Sequence, residues 1–140
     1  MNNYSVYSYL SAYLDTGLLG VYAGIEPAQT VETIRLILVE LAKLTRGDLD
    51  EAEVNAAREH LKGNIILGAE SIDNRMTRLA KNEITYRRYV DFDEILDAVA
   101  KVSVENVVAL ANEYLRPEDM ALTVLGPIGE ADLPRELLFQ

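Results

Sequence analysis

The 140-residue sequence has no cysteine and no tryptophan, a single histidine, and few cations. Without cysteine there is no disulfide scaffold, no thiolate zinc site and no thiol nucleophile. One histidine, His60, excludes a histidine-rich metal site built from this chain alone. Lys and Arg number 13 against 23 Asp and Glu, a net charge of −10 that argues against a nucleic-acid backbone as partner. No uninterrupted apolar run reaches the roughly 18 residues that a membrane span requires. The start, Met1-Asn2-Asn3-Tyr4, lacks the basic and then apolar pattern of a secretory signal, so cytoplasm is the default location. What is present is apolar bulk: 49% of the residues are hydrophobic, enough for one domain that folds without staples.

The first quarter reads as a hairpin. From Ser5 to Leu14 apolar and tyrosine residues alternate, Asp15-Thr16-Gly17 is a turn signal, and Leu18 to Gly24 is a second strand-length run. Gly20 and Gly24 suggest close packing or a bulge. Pro27 suits the first turn of a helix over about 28–44, whose stripe of Val31, Ile34, Ile37, Leu38, Leu41 and Leu44 is expected to be core and is ended by Gly47. Asp50 with Glu53 predicts a capping box for a second helix, with Val54, Ala57, Leu61 and Ile65 on its buried face. Gly63 and Gly68 weaken that helix, and 71–73 predicts a break. A third helical stretch holds Met76, Leu79, Ala80 and Ile84. Asp91 with Glu94 is expected to cap a short helix to about Ala100, and Ser103 opens another to about Leu115, stopped by Arg116-Pro117. Met120 to Leu125 reads as a third strand, closed by Gly126-Pro127.

The expected class is therefore α+β: an antiparallel sheet of the hairpin plus the C-terminal strand, with several helices packed on one face. Residues 1–127 form the domain. Residues 128–140 read as a weakly structured tail whose Leu-Leu-Phe-Gln end is disordered or foreign to the natural chain. So small a sheet leaves an open edge, which suggests strands supplied by a partner or a homodimer formed through that edge.

Tyr4-Ser5-Val6-Tyr7-Ser8, Asp15-Thr16-Gly17, Gly20-Val21-Tyr22-Ala23-Gly24, Leu61-Lys62-Gly63-Asn64, Glu70-Ser71, Asn74-Arg75-Met76-Thr77-Arg78-Leu79-Ala80, Leu115-Arg116-Pro117-Glu118 and Leu122-Thr123-Val124-Leu125-Gly126-Pro127 follow one another in order. In that order and spacing, from Tyr4 to Pro127, the chain resembles the carboxyl-terminal domain of the pitrilysin/insulinase family of zinc peptidases. The bacterial processing-protease branch, akin to mitochondrial processing peptidase, fits best. The resemblance implies one half of a metallohydrolase-like clamshell that closes around a peptide substrate. It places the zinc, bound through His-x-x-Glu-His and a distal Glu, in an amino-terminal domain, which is then the partner of this one. It implies that Tyr4, with an arginine upstream of it, hydrogen-bonds the substrate backbone near the scissile bond; no catalytic or metal-binding residue is assigned to this chain. A phenol can serve there because it is a neutral donor at pH 7. Tyr4 has a bland reading as well, one of 8 tyrosines in a strand.

Two further features invite function. Ala56-Ala57-Arg58-Glu59-His60 is an inverted zinc motif with alanine at the first ligand, and the expectation is a surface histidine. Over 75–88, Arg75, Arg78, Lys81, Arg87 and Arg88 face Glu83 alone, a local charge of +4 that leaves −14 for the remainder. That stretch is either a solvated helix face, the favoured reading, or a surface that docks an acidic partner domain or a peptide carboxylate. The function expected from the resemblance is a substrate-enclosing segment of a zinc-dependent endopeptidase, inactive alone. The alternative is a non-catalytic subunit or binding module of the same fold, and a third reading is an unrelated helical interaction domain in which 120–125 does not join the hairpin's sheet.

Overall fold

The computed structural model describes residues 5–129 and Leu133. The predicted tail, 128–140, therefore lies almost wholly outside the described residues. The chain is α+β, with two antiparallel strands and five α-helices among the described residues, and it divides into two compact units.

The first unit comprises 1–46 and 108–140. Strands β1 (Ser5–Ala12) and β2 (Gly17–Gly24) pair antiparallel from Ser5 opposite Gly24 to Ala12 opposite Gly17. The predicted turn closes them, Tyr13 N–H donating to the Thr16 carbonyl at 2.9 Å. Period-two alternation sorts the hairpin into two faces. One carries the tyrosines: Tyr7 stacks on Tyr22, its cross-strand neighbour, with ring centroids 5.0 Å apart. The Tyr9 ring lies across Gly20, where a Cβ would come within 2.4 Å of it, so the absent side chain is what admits the ring. The other face is aliphatic, with Val6, Leu10, Leu19 and Val21, all exposed.

Pro27 starts a single 3-10 turn, and α1 (Thr30–Arg46) continues from it. Glu32 near its start and Lys43 and Arg46 near its end complement the helix dipole. Gly47, at φ 76°, ends it in the left-handed conformation that costs glycine least. The stripe expected to be core is only half-buried along Ile34, Ile37, Leu38, Leu41 and Leu44, and Val31 is exposed. An amphipathic face is buried only as far as something packs on it, and the described residues cover this one in part. Within this unit Asn112 Nδ2 donates to the Thr45 carbonyl at 2.9 Å, tying residue 112 to the end of α1.

The predicted third strand is absent. Residues 120–125 follow a 3-10 turn at Pro117–Asp119 as irregular chain, and Leu125 is fully exposed. Their composition suits a strand, but strand propensity expresses packing on a ladder, and the only described ladder joins β1 to β2. Among the described residues the expected third strand is thus corrected: the antiparallel sheet of this α+β chain is the β1–β2 hairpin.

The second unit, 47–107, is helical. The capping box forms as predicted at α2 (Glu51–Gly68): Asp50 accepts from Glu53 N–H at 2.7 Å, and Glu53 accepts from Asp50 N–H at 3.2 Å. Of the face expected to be buried, Val54 is, Ile65 is half-buried, and Ala57 and Leu61 are exposed. The break follows Gly68, where Ser71 caps α3 (Ile72–Tyr86). Arg87 ends α3 at φ 51°, and Asp91 caps α4 (Phe92–Ala100) through Phe92 N–H. Glu94 does not complete that cap; its carboxylate is held by Arg88 instead. Ser103 and Asn106 exchange side-chain and backbone bonds to open α5 (Val104–Tyr114), and Arg58 Nη1 donates to the Val102 carbonyl at 2.8 Å.

Candidate functional site

Tyr4, the substrate-binding residue implied by the resemblance, lies outside the described residues. Next to it in sequence, Ser5 opens the tyrosine-bearing face of the hairpin. Among the described residues each strand pairs on one side only, so both edges of the hairpin keep backbone donors and acceptors outside that ladder.

The densest constellation of polar side chains is in the second unit, where α3 meets the connector to α4. The Arg78 guanidinium lies 3.5 Å from the centroid of the Phe92 ring and 5.5 Å from that of Tyr89. Its Nη1 donates to the Val90 carbonyl at 3.3 Å and its Nη2 to the Tyr89 hydroxyl at 3.1 Å. Buried Asn82 donates to the same Val90 carbonyl at 3.4 Å. The planar fork of arginine can stack and donate at once, which a lysine ammonium cannot. Arg78 Nε is buried without a partner among the described residues. Arg88, by contrast, binds Glu94 through both amino groups, and this holds the Glu94 carboxyl below its ordinary value of 4.5.

Two recesses flank this arginine, of about 190 and 310 Å³. Ala69, Arg75, Arg78 and Phe92 line both; Asn74 and Ile95 belong to the smaller, Leu79 and Tyr89 to the larger. At the back of the first, Asn74 Nδ2 donates to the Gly68 carbonyl at 3.2 Å and fixes the α2–α3 bend. Of the five cations in the basic stretch, the fold thus brings Arg75 and Arg78 to one site and pairs Arg88 with Glu94. Arg75, Lys81 and Arg87 have no side-chain partner among the described residues. The aromatic partners Tyr89 and Phe92 were missed in sequence, although both stand at the end of the basic stretch beside the Asp91 cap, where arginine stacking is a reasonable expectation.

His60 is an exposed residue of α2, its Nε2 3.1 Å from Asn64 Nδ2, while Glu59 pairs with Lys62 at 2.8 Å. Among the described residues no group of three or more His, Cys, Asp or Glu side chains is placed to hold a metal ion. With Ala56 where a ligand would stand, this donor set does not fit zinc.

Residues 3–61 match the family described as Peptidase M16 inactive domain. The chain is 38% identical over 135 residues to an uncharacterized zinc protease of Mycobacterium leprae, covering 96% of this chain and 30% of that protein. It is 36% identical over 126 residues to the uncharacterized zinc protease YmxG of Bacillus subtilis, covering 90% of this chain and 31% of that protein. A probable mitochondrial-processing peptidase subunit beta of Arabidopsis thaliana is 29% identical over 130 residues, 93% of this chain and 24% of the relative. The chain thus spans less than a third of the length of these relatives. Such likeness along nearly the whole chain excludes an unrelated helical domain, even though 120–125 does not join the hairpin. The chain is therefore similar, along nearly its whole length, to part of these zinc proteases, and over residues 3–61 to the inactive domain of the M16 peptidases, the pitrilysin/insulinase group.

Proposed function

We propose that this chain is the substrate-enclosing part of a zinc-dependent endopeptidase whose zinc is held by a separate amino-terminal domain. The observation that carries this reading is the 38% identity over 96% of the chain to a relative named a zinc protease. Of the inverted motif in this chain, His60 lies against Asn64, Glu59 pairs with Lys62, and Ala56 stands where the first ligand would be. Zinc, where bound, supplies the Lewis acid for peptide hydrolysis. The contribution of this chain is to enclose an extended peptide and to donate the Tyr4 phenol to a substrate carbonyl oxygen.

The exposed aliphatic face of the hairpin supports a further domain as partner, because a two-stranded hairpin with both faces in water is at best marginally stable. Among the described residues no helix is long and apolar enough to cross a membrane; cytoplasm is the default location we propose. A second reading, a non-catalytic subunit, is favoured by the description of the matched domain as inactive.

Complementation separates the two. The chain is mixed with the zinc-bearing remainder of its parent protein, and cleavage of a fluorogenic peptide is followed with wild type and with Tyr4→Phe. We expect activity to require this chain and to fall on loss of the Tyr4 hydroxyl. Activity equal with and without the chain, or chelator-sensitive cleavage by the chain alone, overturns the enclosing role. Rescue that is indifferent to Tyr4→Phe retains enclosure and removes the phenol from it.

A further inference from the structure

Among the described residues three cations are half-buried, Arg58, Lys62 and Arg78, and every other lysine and arginine is exposed. Arg58 is paired with Glu51 and Lys62 with Glu59, as a partly desolvated charge requires. Arg78 has no carboxylate partner among the described residues. The groups that hold it are neutral: the Val90 carbonyl, the Tyr89 hydroxyl and the rings of Phe92 and Tyr89. Two of its five N–H groups are spent on those bonds. The guanidinium is thus fixed in place while its charge stays uncompensated.

That charge lines both recesses, and Arg75 lines both with it. No Asp or Glu lines either one, in a chain that has 23 of them. Of the acids close by in sequence, Asp91 accepts from Phe92 N–H and Glu94 is bound by Arg88. The walls are largely apolar: Phe92 in both recesses, Ile95 in the smaller, Leu79 and Tyr89 in the larger. Apolar walls with a few convergent polar groups are the pattern of a small-molecule pocket, and 310 Å³ is at the low end of that class. We propose that the recesses at Arg75 and Arg78 bind a small organic carboxylate. Its carboxylate meets Arg75 beside the uncompensated charge of Arg78, and its apolar body lies against Phe92 and Leu79. The net charge of −10 acts against any anion at long range, but salt screens that field within about 8 Å at physiological ionic strength, so the local pair of arginines decides binding. A free carboxylic acid and the C-terminal carboxylate of a peptide share this chemistry. The inference does not rest on the peptidase reading, because binding here needs neither zinc nor hydrolysis.

The test is an NMR titration of the isotope-labelled full chain, following the arginine Nε–H signals and the methyl and ring signals of the recess. Benzoate serves as the free acid, N-acetylphenylalanine as the peptide terminus, and N-acetylphenylalanine amide as the neutral control. The acids should shift Arg75 together with Phe92, Leu79 and Ile95, with a Kd of roughly millimolar order for ligands this small. The amide should bind about tenfold more weakly than its acid. Binding by either acid supports the site, and the tighter of the two names the source. Arg75→Gln, at an exposed side chain with no side-chain partner among the described residues, should weaken the acids about tenfold and leave the amide unaffected. Arg87→Gln removes an exposed charge that lines neither recess and should bind as wild type. Amide binding as tight as acid, an equal loss in Arg87→Gln, or shifts confined to residues outside the recesses overturns the proposal. So does the absence of any shift with either acid.

Discussion

Arg78 is the side chain on which the α3–α4 junction depends, and the structure allows its removal to be worked through. Arg78→Ala deletes two charge-assisted bonds, to the Val90 carbonyl and the Tyr89 hydroxyl, both at the long end of the range. Together these contribute about 2 kcal/mol. It also deletes the stacking on Phe92 at 3.5 Å, about 1 kcal/mol for a partly desolvated cation–π contact. Against these stands one credit. The unpartnered Nε disappears with the side chain, returning about 1 kcal/mol of desolvation cost. The net loss is then about 2 kcal/mol. Arg78→Lys keeps the charge and one bond to Val90 but loses the stack and the fork, and should cost about 1 kcal/mol. Tyr89→Phe removes one bond alone and should cost about 0.5 kcal/mol. Urea unfolding of wild type, the two single variants and the double variant forms a thermodynamic cycle, in which Arg78→Ala and Tyr89→Phe must be less than additive because they share a bond. Full additivity, or an Arg78→Lys variant as stable as wild type, refutes the account of Arg78 as a stacked and bonded clamp.

Two further outcomes follow from single contacts. Gly20→Ala should destabilise the hairpin by displacing the Tyr9 ring, yet stabilise it by about 0.5 kcal/mol in a Tyr9→Ala background, where alanine's smaller backbone entropy loss is no longer opposed; the same sign in both backgrounds, read from urea midpoints, refutes the packing argument. For Glu94 the bond from Arg88 lowers the folded-state value below 4.5, so its contribution to stability is present above that pH and is lost as pH falls through the lowered value. Carboxyl NMR titration should therefore find Glu94 below 4.5 in wild type and back near 4.5 in Arg88→Met; an unchanged midpoint in that variant refutes the pairing.

Sequence was most informative where structure is decided locally. Asp50 with Glu53, Asp91 and Ser103 marked three helix starts, Gly47 one helix end, 71–73 the break and Asp15-Thr16-Gly17 the turn, because each satisfies or frees backbone groups within a few residues. It misled where the outcome depends on what lies opposite. Residues 120–125 have strand composition and no ladder, while Ala57 and Leu61 have core spacing and stay in water. Ile72, Met76 and Leu79 of α3, all exposed, are the sharpest case, since periodicity identifies an apolar face but does not say whether anything covers it. At the site, the basic stretch was legible as charge. Its division into a stacked arginine, a salt-bridged arginine and three cations without side-chain partners among the described residues was not, because that depends on Tyr89, Phe92 and Glu94 arriving from the next element. Tyr4 was carried by the family resemblance and lies outside the described residues.

These two kinds of legibility also separate what holds the fold from what the fold is for. Among the described residues only Val54, Val90 and Ala111 are buried apolar side chains, in a chain that is 49% hydrophobic. Burying a leucine or valine fully contributes about 1.5–3 kcal/mol, so half-buried faces forgo much of what the composition could supply. The elements are held instead by caps, short-range ion pairs and the Arg78 clamp, each a contribution of about 0.3–2 kcal/mol. A substitution at a cap or clamp therefore acts on this chain directly. A substitution on the aliphatic hairpin face should change little in the isolated chain, and should carry the cost of a buried contact in a protein where the partner domain we propose covers that face.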